Sequence, residues 1–326
     1  MKKLLLIISL NLLVQTCFGW GFYAHKLINR KAINLLPAGL QMFYTSYSDV
    51  VSERAVNPDK RRNLIKNEGP RHYIDLDRYA PSKRCCLPRN WKDAVLLYST
   101  DSLYNNGVVP WHTISVYNQL VNAFAKRNKE QILKISADIG HYISDAHVPL
   151  HSTENYDGQL TNQKGIHSFW ESRLPELFGN NYNFIVGKAV YLENPSEQMW
   201  AIVQASFIAV DSVLSFEKEL TLAMPDKKYE PNPKNPSKTQ VTEAFSKAYH
   251  DKLNGQVERR MRASIQEVAN FWYSAWVDAG QPKLDMLRSE TLTPEQLEAA
   301  ETEYQDWLLR TYAQEADSCM KPIFKK

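Results

Sequence analysis

The sequence predicts an all-α fold, a single multi-helix domain over residues 20–326. Three observations carry that expectation. Apolar residues recur at helical spacing through seven stretches, alternating strand-like runs are scarce, and the clearest boundaries are helix-start and helix-stop signals. A hydrophobic content of 44%, with 8 Trp and 17 Tyr, is enough for a sizeable core and excludes a globally disordered chain.

The first nineteen residues stand apart from that domain. Lys2 and Lys3 form a basic start, Leu4 to Val14 an apolar stretch, and Gln15 to Gly19 a short polar end. The apolar stretch is too short to span a bilayer, so it reads as a secretory signal cleaved near Gly19/Trp20, giving a secreted or periplasmic protein. Lipidation at Cys17 is the weaker alternative, because Val14-Gln15-Thr16 is a poor lipoprotein recognition sequence.

Helices are expected over about 24–36, 113–126, 129–147, 167–177, 196–222, 241–279 and 294–315. In the third, Ile132, Leu133, Ile135 and Ile139 form the apolar run, and Pro149 closes it. Residues 225–240, PDKKYEPNPKNPSKTQ, read as a proline- and lysine-rich surface loop. The stretch 241–279 carries Val257, Met261, Ile265, Val268 and Trp272 on one stripe. Its Arg259, Arg260 and Arg262 read as a solvated face, not a nucleic-acid surface. The last helix has Thr293 as its cap, Pro294 in its first turn and Gln296 three residues after the cap. No internal repeat and no second apolar span is expected.

Charge narrows the partners. The chain carries 39 basic and 36 acidic residues; removal of Lys2 and Lys3 with the signal leaves 37 basic, a net +1. That balance gives no electrostatic drive towards duplex DNA or a strongly anionic membrane, and nothing calls for a stable protein partner, so a monomer is expected. Of the four cysteines, Cys85, Cys86 and Cys319 lie beyond the signal. Three is an odd number, so one thiol stays free or pairs between chains, and a bond from Cys85 or Cys86 to Cys319 is one way to tie down the tail.

The chemistry concentrates in HYISDAHVPLH, residues 141–151. On a helix His141 and Asp145 project from one face a turn apart, and Pro149 redirects the chain so that His151 enters from another side. IHSFWES repeats the device with His167 and Glu171. Seven of the eight histidines precede residue 168, among them His25 in WGFYAH and His72 in EGPRHYIDLD, with Asp59 and Asp75 in the same half. Imidazoles and carboxylates converging without thiolates suit a metal site with open positions, the usual form of a catalytic centre. His147 and His112 are not expected to be ligands. Asp75 and Asp138 suit hydrogen bonds to ligating imidazoles.

HYISDAHVPLHSTEN closely resembles the signature of the zinc-dependent phospholipases C, relatives of the single-strand-specific nucleases. The resemblance covers the segments from Trp20 to Glu171 and implies a secreted all-α phosphodiesterase with three Zn2+ per chain. Carried over by position, it implies that Trp20 binds one zinc through its free amine and carbonyl oxygen, beside His25. It implies a second zinc on Asp59, His72, His141 and Asp145, with Asp145 bridging to the first, and a third on His151, His167 and Glu171. Ser144 departs from the Gly or Thr of the signature. Signal cleavage acquires a chemical role, because an amide nitrogen within the chain is a poor ligand whereas a free α-amine can deprotonate and coordinate.

Asp59 and Asp145 are therefore the candidate catalytic carboxylates. Phospholipid is the expected substrate, on the strength of Glu171 as last ligand, the close spacing from His151 to His167, and Asn155. Single-stranded nucleic acid or a nucleotide is the alternative, and Tyr73 with Asp75 does not separate the two. A secreted zinc-binding protein without turnover is the reading from another class.

Overall fold

The computed structural model describes residues 21–233 and 235–287. The signal segment, Trp20, Cys319 and the helix expected over 294–315 lie outside the described residues. Helix α1 (Phe22–Ala32) runs into a 3-10 turn, Ile33–Leu35, and is followed by α2 (Ala38–Thr45), α3 (Ser48–Arg54) and α4 (Asn57–Arg61). Short 3-10 turns at Gly69–His72, Leu76–Arg78 and Pro81–Cys86 lead to α5 (Trp91–Tyr98) and α6 (Thr100–Asn106). Then come α7 (Val109–Ala125), α8 (Lys129–Ala146) and a 3-10 turn at Pro149–Ser152. A composite helix is made of α9 (Ile166–Ser168), a π turn at Phe169–Arg173 and α10 (Leu174–Phe178). The chain continues through α11 (Pro195–Ala223), the strands β1 (Tyr229–Asn232) and β2 (Asn235–Val241), α12 (Glu243–Lys252) and α13 (Gln256–Asp278).

The fold is all-α, and the one sheet among the described residues is the antiparallel β1–β2 pair. Helix α8 lies at its centre, packed by α1, α3, α7, α11 and α13. Every residue from Ile132 to Ala146 is buried, polar ones included. Asn128 caps its start by accepting from Gln131 N at 3.1 Å. An apolar stripe buries one face of such a helix; here the opposite face is buried too, because it carries ligand-type side chains rather than solvent-facing ones. Trp272 of α13 stacks on Tyr44 and donates its indole N–H to the Ser136 carbonyl at 3.0 Å, seating α13 on α8.

Three expectations are corrected. Residues 225–240 are not a plain loop: a 3-10 turn at Pro225–Lys227 leads into the hairpin, with Tyr229 opposite Val241 and Pro231 opposite Thr239. Proline can sit in an isolated two-stranded pair because an edge strand leaves outward-facing amides unused. The hairpin is fastened by Lys228 Nζ, 2.5 Å from Glu217 Oε1 of α11. The stretch 241–279 is two helices, broken where Asn254 (φ 49°) and Gly255 (φ 73°) turn left-handed, an Asn-Gly turn signal inside a periodic run. Helix α11 is long and apolar enough to cross a membrane by length and composition, a second apolar span that periodicity did not single out. Its Trp200, Ile202, Val203 and Val213 are buried in the core, whereas Ile208 and Leu222 are exposed. The short helices α2–α6 span too few turns for periodicity to reveal them.

Candidate metal centre

His141 and Asp145 stand one turn apart on α8, both fully buried. His141 Nδ1 lies 2.8 Å from the Ala55 carbonyl. A carbonyl only accepts, so this contact makes Nδ1 the donor and turns Nε2 towards the cluster. Helix α1 reaches the same place through a close crossing. A Cβ on Gly140 would fall 2.1 Å from Asn29 Oδ1, so glycine leaves the room that the buried Asn29 amide occupies between α1 and α8. Asn29 then donates to the carbonyls of Val51 and Ala137, each at 3.3 Å. One turn before Asn29, His25 stacks on His141 with ring centroids 3.9 Å apart, and its Nε2 lies 3.3 Å from Asp145 Oδ1.

Asp59 enters from α4, with Oδ1 3.7 Å from His72 Nδ1 and 3.6 Å from His141 Nε2. His72 Nδ1 sits 2.8 Å from Asp145 Oδ2. His151 comes from the Pro149–Ser152 turn. Its Nδ1 lies 2.7 Å from the His72 carbonyl, and Ile74 N donates back to the His151 carbonyl at 2.9 Å. That exchange clamps two distant segments together and leaves His151 Nε2 facing Glu171 Oε2 at 3.4 Å. His167 Nε2 is 3.0 Å from the same oxygen, across the π turn that carries Glu171. Four residues beyond Glu171 stands Pro175, which has no amide hydrogen to give the Glu171 carbonyl. Gly21 N donates to that carbonyl instead, at 3.3 Å, so the start of the described chain is held against the site.

Among the described residues these side chains make three buried groups able to hold a metal: His25, His141 and Asp145; Asp59, His72 and His141; and His151, His167 and Glu171. All the expected site residues within the described chain are thus brought together, and Trp20 lies outside it. Within each group the contacting carboxylate oxygens and imidazole nitrogens stand 3.0–3.7 Å apart. Two donors on one tetrahedral zinc stand roughly 3.3–3.6 Å apart, from Zn–N and Zn–O bonds of about 2.0–2.2 Å. Both oxygens of Asp59, Asp145 Oδ1, His25 Nε2, His151 Nε2 and Glu171 Oε1 are buried without a hydrogen-bond partner. Buried polar atoms are ordinarily satisfied, so this concentration of unpaired donors and acceptors fits a bound cation.

The electrostatics agree. Burial opposes ionisation of Asp145, but the nearby His141 and His151 outweigh it and hold its carboxyl well below the usual range. Burial likewise works against the His141 imidazolium, yet Asp145 and Asp59 raise it to about 9. Burial pushes Glu171 up to about 8 and takes His167 down to about 4; burial, with His141 beside it, takes His25 down to about 4.

Behind the groups lies a polar network that the sequence reading passed over. Glu68, fully buried, lies 3.7 Å from His72 Nε2 and is paired with Arg61 and Arg71. The signal was present: Glu68 and His72 repeat the carboxylate–histidine spacing of four, with the order reversed. Asp138, expected near an imidazole, lies 3.0 Å from Arg61 Nη1. His112 is half-buried edge-on to Tyr142, and His147 is buried behind α8 with Nδ1 2.8 Å from the Ile143 carbonyl. Asp75 lines a cavity of about 460 Å³ that opens beside His151 and His167, together with Arg62, Tyr73, Arg78 and Tyr156. Burial and the neighbouring Asp77 raise Asp75 to about 7.

No protein-family model matches the chain, and no curated protein matches it in sequence. Among solved structures it is similar to the alpha toxin from Clostridium absonum, at 14% identity and a TM-score of 0.47, over 82% of this chain and 66% of the toxin's length.

Proposed function

We propose that this protein is a secreted zinc-dependent phosphodiester hydrolase of the phospholipase C type, with three zinc ions per chain. The observation that carries the reading is the convergence of eight buried imidazoles and carboxylates, without a thiolate, in three adjoining groups. Structural zinc sites are typically closed and rich in cysteine, whereas nitrogen and oxygen donors typify catalytic ones. Asp59, His72, His141 and Asp145 would hold one ion; His25, Asp145 and the free amine and carbonyl of Trp20 would hold another; His151, His167 and Glu171 would hold the third. When bound, the ions supply Lewis acidity towards phosphoryl oxygens and acidify coordinated water.

The chain's own residues do the rest. Asp59, with one carboxylate oxygen on an ion, would keep the other to take the proton of the attacking water and to return it to the oxygen that leaves as the P–O bond breaks. Arg62 and Arg78 line the adjoining cavity and orient the phosphodiester through its anionic oxygens. Leu150 and Leu160 supply apolar wall beside the reacting centre. The second reading, a single-strand-specific nuclease or nucleotidase, is favoured by Tyr73 and Tyr156 in the same cavity, whose rings suit stacking on a base. The test is a parallel assay of zinc-loaded protein on phosphatidylcholine, single-stranded DNA, RNA and mononucleotides. Phosphatidylcholine cleavage that a chelator abolishes and zinc restores is expected. Turnover of nucleic acid alone would transfer the assignment to the nuclease reading, and no turnover of any substrate by fully loaded protein would refute both.

A further inference from the structure

We infer that Glu68 is a positioning residue that sets the donor strength of His72, and through it the grip of the Asp59, His72 and His141 group on its ion. The inference rests on the metal-centre reading above. Its starting point is an asymmetry among the imidazoles. His141 and His151 turn their outward nitrogens to backbone carbonyls, of Ala55 and of His72, at 2.8 and 2.7 Å. His72 turns Nδ1 inward to Asp145 and Asp59, and its outward Nε2 is buried with no partner within hydrogen-bond distance. The group it faces is a carboxylate oxygen, Glu68 Oε1 at 3.7 Å, and a small ring movement on ligation closes that gap.

A carboxylate outside a ligating imidazole fixes its tautomer and makes it a stronger donor than a neutral carbonyl does. Glu68 is built to keep that charge in place. Arg61 Nε lies 3.0 Å and the Tyr142 hydroxyl 2.5 Å from Oε1, and Arg71 Nη1 lies 2.8 Å from Oε2. Carboxylate and guanidinium groups are buried together, an arrangement stable only because every charge is paired. The network also selects one group. Arg61 is two residues from Asp59 on α4, Tyr142 is the neighbour of His141 on α8, and Glu68 faces His72. All three members of that group therefore connect to Glu68, whereas His151 and Glu171 are held by the His72 carbonyl and the π turn.

The test is zinc affinity by chelator competition, with cobalt absorption spectra as a second readout, in the full-length mature protein and in Glu68→Gln. One ion equivalent is expected to weaken by ~10–100-fold while the others keep their affinity. The cobalt bands of that equivalent alone should shift. Glu68→Asp, which keeps the charge but withdraws it by one methylene, is expected to fall between the two and serves if the glutamine variant fails to fold. Unchanged competition curves, or equal weakening of all equivalents, would overturn the assignment. Failure of the unaltered protein to bind zinc would instead refute the metal centre itself.

Discussion

His25 Nε2 lies 3.3 Å from Asp145 Oδ1, while Oδ2 of the same carboxylate faces His72 at 2.8 Å and His141 at 3.1 Å. One side chain thus presents an oxygen to each of two groups. Replacing Asp145 by alanine is expected to remove two ions from the protein, whereas His25→Ala or Glu171→Ala removes one. Elemental analysis of the purified variants reads this directly. Retention of all metal in the Asp145 variant would end the bridging role.

Gly140 sets the approach of α1 to α8. In Gly140→Ala the new methyl group meets the buried Asn29 amide at a distance no atoms tolerate, so Asn29 must give up its bonds to the Val51 and Ala137 carbonyls or α1 must shift, and His25 with it. Overpacking of this kind costs about 1–3 kcal/mol. The expected result is a lower melting temperature with selective loss of the ion held by His25. Unaltered metal content would show that α1 adjusts without moving its histidine.

Gly21 N is tied to the Glu171 carbonyl at 3.3 Å. On the proposed reading a mature chain that starts at Trp20 would offer its amine as a ligand, and one extra methionine converts that amine to an amide. Zinc content and turnover are then expected to fall in a protein made with Met before Trp20. Full occupancy and full activity of that protein would remove the terminus from the ligand set.

Protonation supplies a fourth test. In the metal-free protein His141 titrates at about 9 and Glu171 at about 8, so both carry a proton at neutral pH. Ligands must lose theirs to bind metal, so zinc uptake at neutral pH is expected to release roughly two protons from these groups and up to about one more from a Trp20 α-amine, fewer as pH rises through 8 and 9. Calorimetry in buffers of different ionisation enthalpy measures that number. The sign for stability follows. Both folded values lie above the unfolded ones, 6.5 for histidine and 4.5 for glutamate, so these two groups bind more protons in the folded state; the opposing histidines His25 and His167, held at about 4, fade once pH passes their unfolded 6.5, and metal-free stability falls as pH rises from about 7 to 8. A melting temperature that climbs over the same window would contradict the assignment.

Two of the three groups can be read as local patterns. His141 with Asp145 and His167 with Glu171 each lie four apart, and spacing alone puts such pairs on one face of a helix. His25 and Asp59 have no such partner four residues away, and the resemblance to a known signature is what assigns them, with His72, to particular ions. Glu68 and His72 share the spacing of four, but across a 3-10 turn, Gly69–His72, where a helical face does not link them.

Helical character, the central place of HYISDAHVPLH and a donor set without thiolates are legible in the chain, because periodicity, proline positions and residue types act over a few turns. That α1 crosses α8 at Gly140, that the His151 ring and carbonyl clamp the His72 segment, and that Arg61, Arg71 and Glu68 are buried together behind one group emerges from the packing alone. Those arrangements depend on contacts between segments far apart in the chain. Their cost and benefit are set by burial and packing density, which no local pattern records.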